Sequence, residues 1–210
     1  MQRERGFTLI ELMVVIAILG LLMAIGIPSF ATWLRNVQIR NAAESLQSGL
    51  QFARTEALRR NERVSFWAVS LTNPKIMDNS CARSASGISW VVSRDDPNSA
   101  CLTDVSETTS PRILQKKAAG DGALNVLVSA TDSASTGSSC VTFNGFGRVE
   151  PKCADTGQSN PVTRFAIASA VTDSNTRPLQ VRVSAGGVIR MCDPAVSTSN
   201  GDPRACCEAP

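Results

Sequence analysis

The stretch Gly6-Phe7-Thr8-Leu9-Ile10-Glu11-Leu12 opens the segment that decides the fold of this chain. It leads into a run from Leu12 to Ile27 that contains no polar side chain. The segment from Phe7 to Ile27 is about 21 residues long, and at ~1.5 Å rise per residue it makes roughly 31 Å of helix. Such a helix can cross a hydrocarbon core of ~30 Å. Glu11 is the exception inside it, since a carboxylate at mid-bilayer costs on the order of 3 kcal/mol and needs a partner. The sequence therefore predicts a membrane-length helix whose one charge requires a reason.

Two common kinds of apolar segment explain that charge poorly. A secretory signal peptide could use Arg3 and Arg5 as its basic region, but its apolar core usually runs ~7–15 residues without a charge and ends in a small-x-small cleavage site. Here the core is longer, contains Glu11, and ends at Gly26-Ile27-Pro28. An ordinary membrane anchor would place Glu11 near an interface, from which the carboxylate reaches water. Both stay as alternatives to a third interpretation.

The opening stretch resembles the type III signal of type IV prepilins and type II secretion pseudopilins. The resemblance implies that a prepilin peptidase cuts after Gly6 and that Phe7 becomes the N-methylated first residue. It also implies that Glu11 pairs with the Phe7 amine of a neighbouring subunit during assembly. The chemistry agrees, because an ammonium and a carboxylate brought together in an apolar environment satisfy each other, whereas either one alone is costly to bury.

Cysteine and histidine usage restricts the remaining chemistry. The chain has seven cysteines, no histidine and no tyrosine in 210 residues. This favours disulfides in an oxidising periplasm, argues against a zinc site, and leaves no Ser-His-Asp or Cys-His arrangement for an enzyme. We therefore expect no metal, no cofactor and no enzymatic activity, with a carboxylate-only hydrolase as the weakest alternative. Six paired cysteines allow 15 connectivities, so the pairing is open. Sequence proximity suggests the pairs Cys81–Cys101, Cys140–Cys153, and Cys192 with either Cys206 or Cys207.

The helix is expected to change character at Gly26 and Pro28, where proline removes a backbone donor and predicts a kink or local melting. From Ser29 to Arg63 the apolar residues fall mostly three or four positions apart, which predicts an amphipathic helix that packs on its own globular domain. A helix that binds a separate partner is the alternative. The apolar stripe consists of Phe30, Trp33, Leu34, Val37, Ala42, Leu46, Leu50, Ala53 and Ala57.

After Arg63 the pattern indicates a mostly antiparallel β-sheet domain with polar loops at about 72–86, 93–111, 129–139 and 152–163. Ala185-Gly186-Gly187 predicts a hairpin, because glycine takes positive φ at low cost. The fold class is therefore α+β, with a long amino-terminal helix on an antiparallel sheet. The predicted strands are 64–69, 87–92, 124–128, 140–143, 164–168, 179–184 and 188–191.

Two further segments narrow the resemblance. Residues 50–61 resemble the end of the long helix in the H-type pseudopilin and FimT/FimU minor-pilin branch, and residues 187–194 with 202–206 resemble FimU-type and FimT-like proteins. The resemblance implies a type IV pilin-like fold. It divides the chain into a cleaved leader, an assembly half of the helix, an amphipathic half, and a periplasmic domain with disulfides, which span residues 1–6, 7–28, 29–63 and 64–210.

The same resemblance implies a minor pilin that primes type IV pilus assembly and enters the fibre, at its tip or elsewhere, in support of twitching motility and adhesion. Its partners would be prepilin peptidase and, through the helix, other minor pilins and the major pilin. Before assembly it would cross the bacterial inner membrane once, with its carboxyl-terminal domain in the periplasm. An H-type type II secretion pseudopilin is the alternative that shares every membrane argument.

DNA is another partner to weigh, since some FimT-like relatives bind DNA through a Gly-Arg-x-Arg motif. This chain departs from the motif: Gly186-Gly187-Val188-Ile189-Arg190 keeps one arginine, and Gly147-Arg148-Val149-Glu150 puts a carboxylate at the second basic place. Net charge falls from +3 to +2 without the leader, which gives no strong indication of nucleic acid. Scattered solvated arginines are therefore preferred over a DNA-binding patch. The candidates for such a patch are Arg148, Arg190 and Arg204, with Arg164 and Arg182 as further members.

Overall fold

The chain begins with one long, bent helix, α1, which runs from Leu9 to Arg60. Its end is set by Asn61, whose left-handed φ of 52° lets its backbone N–H reach the carbonyls of Ala57 and Leu58. The helix therefore stops three residues before Arg63, where the sequence pattern predicted its end. The computed structural model describes residues 7–120, 122–123, 125–154, 157, 159–171, 175–198 and 201–206, with side chains at 25–28 outside that description.

The backbone of α1 remains helical through Gly26 and Pro28, so local melting at these residues was a wrong expectation. A proline inside a helix lacks one donor, but the remaining hydrogen bonds on either side can carry the helix past it. The helix is bent, and placement of the bend at Gly26 and Pro28 stays a prediction.

The predicted apolar stripe of α1 is only partly a core-facing stripe. Ala42, Leu46, Leu50, Ala53 and Ala57 are at most 2% exposed and pack in the main hydrophobic core. In contrast, the first members extend beyond the globular domain, because the sheets begin to cover the helix only further along the chain. These exposed members are Phe30, Trp33 and Leu34, at 63%, 59% and 43%.

Nine strands follow α1 within the described part of the chain. Seven of them correspond to the predicted strands, with boundaries that differ by a few residues. They are β1 (Val64–Ser70), β2 (Ala82–Arg83), β3 (Ser89–Ser93), β4 (Ile113–Lys117), β5 (Val126–Thr131), β6 (Cys140–Phe143), β7 (Arg164–Ser169), β8 (Leu179–Val183) and β9 (Ile189–Cys192).

The strands form two antiparallel sheets. In sheet A, β1 pairs with β3 on one side and with β6 and β2 on the other, and β4 forms the edge next to β3. In sheet B the order is β5-β7-β8-β9. Helix α1 contacts strands of both sheets, and its buried side joins them into one core. The α+β class with a long helix on antiparallel sheet is therefore confirmed.

Sequence patterns missed β2 and β4. Strand β2 has only two residues and lies within the predicted polar loop 72–86. Strand β4 reads Ile-Leu-Gln-Lys-Lys, and its exposed Gln115 and Lys117 alternate with Ile113 and half-buried residues at the edge of sheet A. Lysine is a common device for protecting an edge strand from unwanted pairing, but it weakens the sequence signal for a strand.

The turn after β6 and the hairpin between β8 and β9 approach each other closely beside α1. Gly147 and Gly187 both have positive φ, at 71° and 80°. A Cβ at Gly187 would lie 1.9 Å from the carbonyl oxygen of Gly147 and 3.2 Å from Nε of Arg54. That same carbonyl accepts a hydrogen bond from Arg54 at 3.1 Å. The predicted hairpin at 185–187 is thus present, and its tip contacts both the helix and the turn after β6.

Three disulfides staple the domain: Cys81–Cys101, Cys140–Cys153 and Cys192–Cys206. The first two lie in a second buried cluster around Trp67, on the side of sheet A away from α1. The third holds the carboxyl-terminal segment beside β9, where Asp193 and Ala205 form a parallel bridge. These are the pairs that sequence proximity suggests, with Cys206 as the partner of Cys192, and Cys207 lies outside the described residues.

Peptide mapping of the oxidised, full-length protein without reductant should therefore recover three linked peptide pairs. The expected result is one pair for each bridge, because each joins residues whose Cα atoms lie 5.0–6.1 Å apart. The same digest after reduction and alkylation is the control. Recovery of all seven cysteines as free thiols, or of Cys192 linked to Cys207, would contradict this arrangement.

Candidate functional site

The amino-terminal half of α1 is an exposed apolar rod. Its large side chains, from Leu9 to Met23, are each at least half exposed, and Phe7 ahead of them is 86% exposed. Within the described residues α1 is the helix long and apolar enough to cross a membrane, and none of that window is covered by the rest of the chain. An exposed apolar surface of this size requires a lipid or protein environment.

The start of the rod is organised by a helix cap. Thr8 is the N-cap, and its Oγ1 accepts a hydrogen bond from the backbone N–H of Glu11 at 3.3 Å. The spacing Thr8-x-x-Glu11 is that of a capping box, in which a glutamate three residues into the cap can reach back to the first backbone donor. Within the described residues the carboxylate of Glu11 has no hydrogen-bond or ion-pair partner, so it is available to a group outside this chain.

Gly6, the predicted cleavage residue, and the rest of the 1–6 leader lie outside the described residues. Phe7 and Glu11 lie at the end of α1 farthest from the sheets, where they can contact a neighbouring subunit without displacing any part of the domain. The amine of Phe7 and the carboxylate of Glu11 are the groups whose pairing the sequence predicts.

An ion cluster closes the other end of α1. Glu56, 9% exposed, accepts hydrogen bonds from Arg59 and Arg60, and Arg60 also donates to Glu107 at 2.7 Å. The hydrogen bond from Arg59 lowers the pKa of Glu56, burial partly offsets this, and Arg60 lowers it further. The cluster ties the loop before β4 to the helix end and so fixes the surface around residues 54–60.

A charged cleft of about 800 Å³ lies beside this cluster, at the end of sheet A. Its charges are largely satisfied inside the chain, since Glu62 pairs with Arg94 and Asp95 pairs with Arg112. The cleft shows no grouping of ligands for a metal among the described residues.

Strand register brings together three arginines of sheet B. Arg164 on β7 lies opposite Arg182 on β8, which lies opposite Arg190 on β9. Directly opposed residues in antiparallel strands have Cβ atoms ~4.5–5.5 Å apart, where like charges repel. None of the four strands of sheet B contains an Asp or Glu. These three residues, called the arginine row below, form a basic line across the outer face of the sheet.

The other two candidate arginines lie outside the arginine row. Arg148 is exposed on the turn after β6. Arg204 is held by Asp202, whose Oδ2 accepts a hydrogen bond from its guanidinium at 2.7 Å. That guanidinium lowers the pKa of Asp202 to about 2, so the charge of Arg204 is largely compensated. Strand register thus groups Arg190 with Arg164 and Arg182.

Comparison with known proteins identifies the family. Residues 42–187 match the family model described as type II transport protein GspH. The chain belongs to the GspH family. A second model, the prokaryotic N-terminal methylation motif, matches residues 1–27 of this GspH-family protein. It is therefore a type IV pilin-like protein of the minor pilin and pseudopilin group, whose members are structural proteins.

Curated relatives match only part of the GspH-family protein. It is 49% identical over 45 residues to prepilin peptidase-dependent protein D of Escherichia coli (strain K12), covering 21% of this chain and 31% of that protein. It is 37% identical over 75 residues to a fimbrial protein of Pseudomonas aeruginosa, covering 36% of this chain and 46% of that protein. The chain therefore spans less than half the length of these relatives.

Among solved structures, the GspH-family protein is similar to the type IV minor pilin FimU of Pseudomonas aeruginosa (strain PAO1). The match has 17% sequence identity and a TM-score of 0.42, and it covers 73% of this chain and 87% of that chain.

Two features of the GspH-family protein were not predicted from its sequence, for different reasons. The cap at Thr8 had a local signal that was overlooked, namely the capping-box spacing with Glu11. The arginine row had no such signal, because opposition of residues 164, 182 and 190 depends on the register of three strands.

Proposed function

We propose that this protein is a minor type IV pilin that primes pilus assembly and is incorporated into the fibre, at or near its tip. The observation that carries this proposal is the exposed apolar half of α1, with the carboxylate of Glu11 at its start, attached to a separately packed and disulfide-stapled domain. Prepilin peptidase would cut after Gly6, and the amine of Phe7 would be methylated. Twitching motility and adhesion are the activities such a fibre supports.

The ion pair of Glu11 would set the axial position of one subunit relative to the next during assembly. Inside a bundle of apolar helices, a carboxylate without a partner is strongly penalised, and the amine of Phe7 from a neighbouring subunit removes that penalty. The pair therefore favours one axial position of two subunits over others. The exposed Phe30, Trp33 and Leu34 extend the apolar surface of α1 toward the domain, so neighbouring helices would pack along this part as well.

Location follows from the same features. The segment 7–28 would span the inner membrane before assembly, and the segment 29–63 would continue into the domain at 64–210. The three disulfides favour placement of that domain in the periplasm. Other minor pilins and the major pilin would be the partners of the helix. We propose no enzymatic activity for the chain.

Cross-linking of the mature protein in membranes, followed by purification and mass spectrometry, tests the assignment. The expected result is co-purification of several pilin-like subunits of a type IV pilus. Recovery of the subunits of a type II secretion system instead would favour the alternative, an H-type pseudopilin, which the description of the matching family supports. If no pilin-like protein is recovered under cross-linking, the proposed function is wrong.

A second candidate function, DNA binding in natural uptake, is favoured by the arginine row. Three cationic side chains on neighbouring strands, with no acidic residue in the strands of that sheet, can contact successive phosphates of a nucleic-acid backbone. Arg190 is exposed, and Arg164 and Arg182 are half-buried, so their guanidinium groups lie along a surface. The motif Gly-Arg-x-Arg is absent from this surface.

Mobility-shift titration of the full-length protein with double-stranded DNA at two salt concentrations tests this second candidate. Changing Arg164, Arg182 and Arg190 to Gln should weaken binding and reduce the salt slope by up to ~0.9 for each phosphate that the variant no longer neutralises. The change Arg204→Gln is the matched control, because Asp202 already compensates that charge. Equal binding by the triple variant and the wild-type protein would exclude the arginine row as a DNA site.

A further inference from the structure

The exposed apolar surface of α1 continues past the membrane-length run. That run ends at Ile27, yet Phe30, Trp33 and Leu34 beyond it are also exposed. Further along the described part of α1, the next large apolar side chain that is exposed is Leu58. Ile39 is already fully buried in the core of the domain. The apolar surface of the rod therefore ends at Leu34, just before the domain begins.

This surface is longer than the hydrocarbon core of a bilayer. From Leu9 to Leu34 the helix advances about 25 residues, or roughly 38 Å at ~1.5 Å per residue. A hydrocarbon core is ~30 Å thick, and a bilayer with both headgroup layers is ~40–45 Å thick. The surface therefore spans the core and also reaches into one headgroup layer. Because the domain follows directly after Leu34, this is the headgroup layer on the side of the domain.

Two aromatic rings lie at that level of the helix. The ring centroids of Phe30 and Trp33 are 5.6 Å apart, and their planes make an angle of 32°. At ~1.5 Å per residue the two residues lie roughly 5 and 9 Å beyond Ile27. Tryptophan combines a large apolar ring with an N–H donor, so it is favoured at the boundary between acyl chains and headgroups. We call these two residues the ring pair.

The charges nearest to the ring pair lie on its domain side. Segment 28–34 contains no charged residue. Arg35, the first charge after it, already interacts within the chain. Arg40 forms an ion pair with Glu44. The surface at the ring pair is therefore neutral and aromatic, so its fit to a headgroup layer depends on the rings and not on charge.

We propose that the ring pair anchors the unassembled subunit in the headgroup layer on the domain side of the membrane, with phospholipid bound to this surface. This inference rests on the proposed function, in which segment 7–28 spans the inner membrane before assembly. The anchor fixes how deeply α1 is inserted, and it holds Ile39 about 9 Å beyond Trp33 along the helix. When the subunit enters a fibre, the same rings leave the lipid and contact neighbouring helices.

Quenching of tryptophan fluorescence by brominated phospholipids tests this inference. The full-length protein is placed in phosphatidylglycerol vesicles at a high lipid-to-protein ratio, with bromine on the acyl chains either near the headgroup or near the terminal methyl group. Trp67 and Trp90 are 0% and 2% exposed inside the domain, so lipid-dependent loss of emission reports Trp33. We expect the larger loss with bromine near the headgroup. A loss that is equal or larger with bromine near the methyl group, as in a helix tilted to draw Trp33 into the core, or no loss, would overturn the proposal.

The change Trp33→Phe is the matched control. It keeps a ring at the anchor and removes the reporter, so the lipid-dependent loss of emission should disappear. Loss that persists in this variant would come from the domain and would also overturn the proposal.

Co-purification of cross-linked subunits separates this inference from the proposed function. If pilin-like subunits co-purify but Trp33 is not quenched from the headgroup level, the anchor is wrong and the proposed function still holds. Quenching from the headgroup level without any pilin-like partner would support the anchor and contradict the proposed function.

Discussion

Replacement of Gly187 by Ala should destabilise the folded domain by about 3 kcal/mol, because two costs add at one position. The backbone of Gly187 has φ of 80°, a conformation that costs residues with a Cβ roughly 1–2 kcal/mol. The new Cβ would also lie 1.9 Å from the carbonyl oxygen of Gly147, which cannot move without breaking its hydrogen bond to Arg54. Relief of the contact must therefore separate the hairpin from α1.

Thermal unfolding of the full-length protein in detergent, followed by tryptophan fluorescence, measures this effect. A loss of ~3 kcal/mol corresponds to a decrease of about 6–12 °C in Tm for a domain of this size. The neighbouring change Gly186→Ala is the matched control, because its Cβ would meet only the Ser184 hydroxyl at 3.8 Å. Equal melting temperatures for the two variants would show that the contact between Gly187 and Gly147 does not hold the hairpin and the turn together.

Replacement of Glu11 by Gln should remove this protein from assembled filaments while leaving its processing intact. The amine of Phe7 from a neighbouring subunit would then be buried without its counter-charge, and breaking one side of a buried ion pair costs about 3–5 kcal/mol. Co-purification with other pilin-like subunits should fall by about two orders of magnitude or more. Quantitative mass spectrometry of cross-linked complexes measures that decrease, and the mass of the amino-terminal peptide reports cleavage and methylation.

The control for this variant lies on the same helix. Glu44 is exposed and forms an i,i+4 ion pair with Arg40, which stabilises a helix by only about 0.3–0.5 kcal/mol. The change Glu44→Gln should therefore leave assembly close to the wild-type level. Normal co-purification of the Glu11→Gln protein would contradict the assembly role of the carboxylate, and loss of cleavage would assign it to recognition by the peptidase instead.

Much of the fold could be predicted because its signals are local. Apolar residues from Leu12 to Ile27 predict the long exposed helix, and β-branched runs predict seven of the strands. Strand β4 was not predicted because its two lysines, which protect a sheet edge, are uncommon in strands and weaken the strand pattern. The outer part of the apolar stripe was misassigned for a similar reason, since spacing on a helix shows which residues share a face but not how far the sheet extends along it.

The sequence by itself determined the parts of this protein that depend on one continuous segment: the apolar rod with Glu11, the cap at Thr8 and the number of cysteines available for bridges. Only the tertiary structure decided which distant residues meet. The register of β7, β8 and β9 aligned Arg164, Arg182 and Arg190, and contact among α1, the turn after β6 and the hairpin between β8 and β9 brought Gly147 and Gly187 against Arg54. The physical reason is that register is selected by burial of one whole face of a sheet and by the geometry of its turns, and no single segment contains that information.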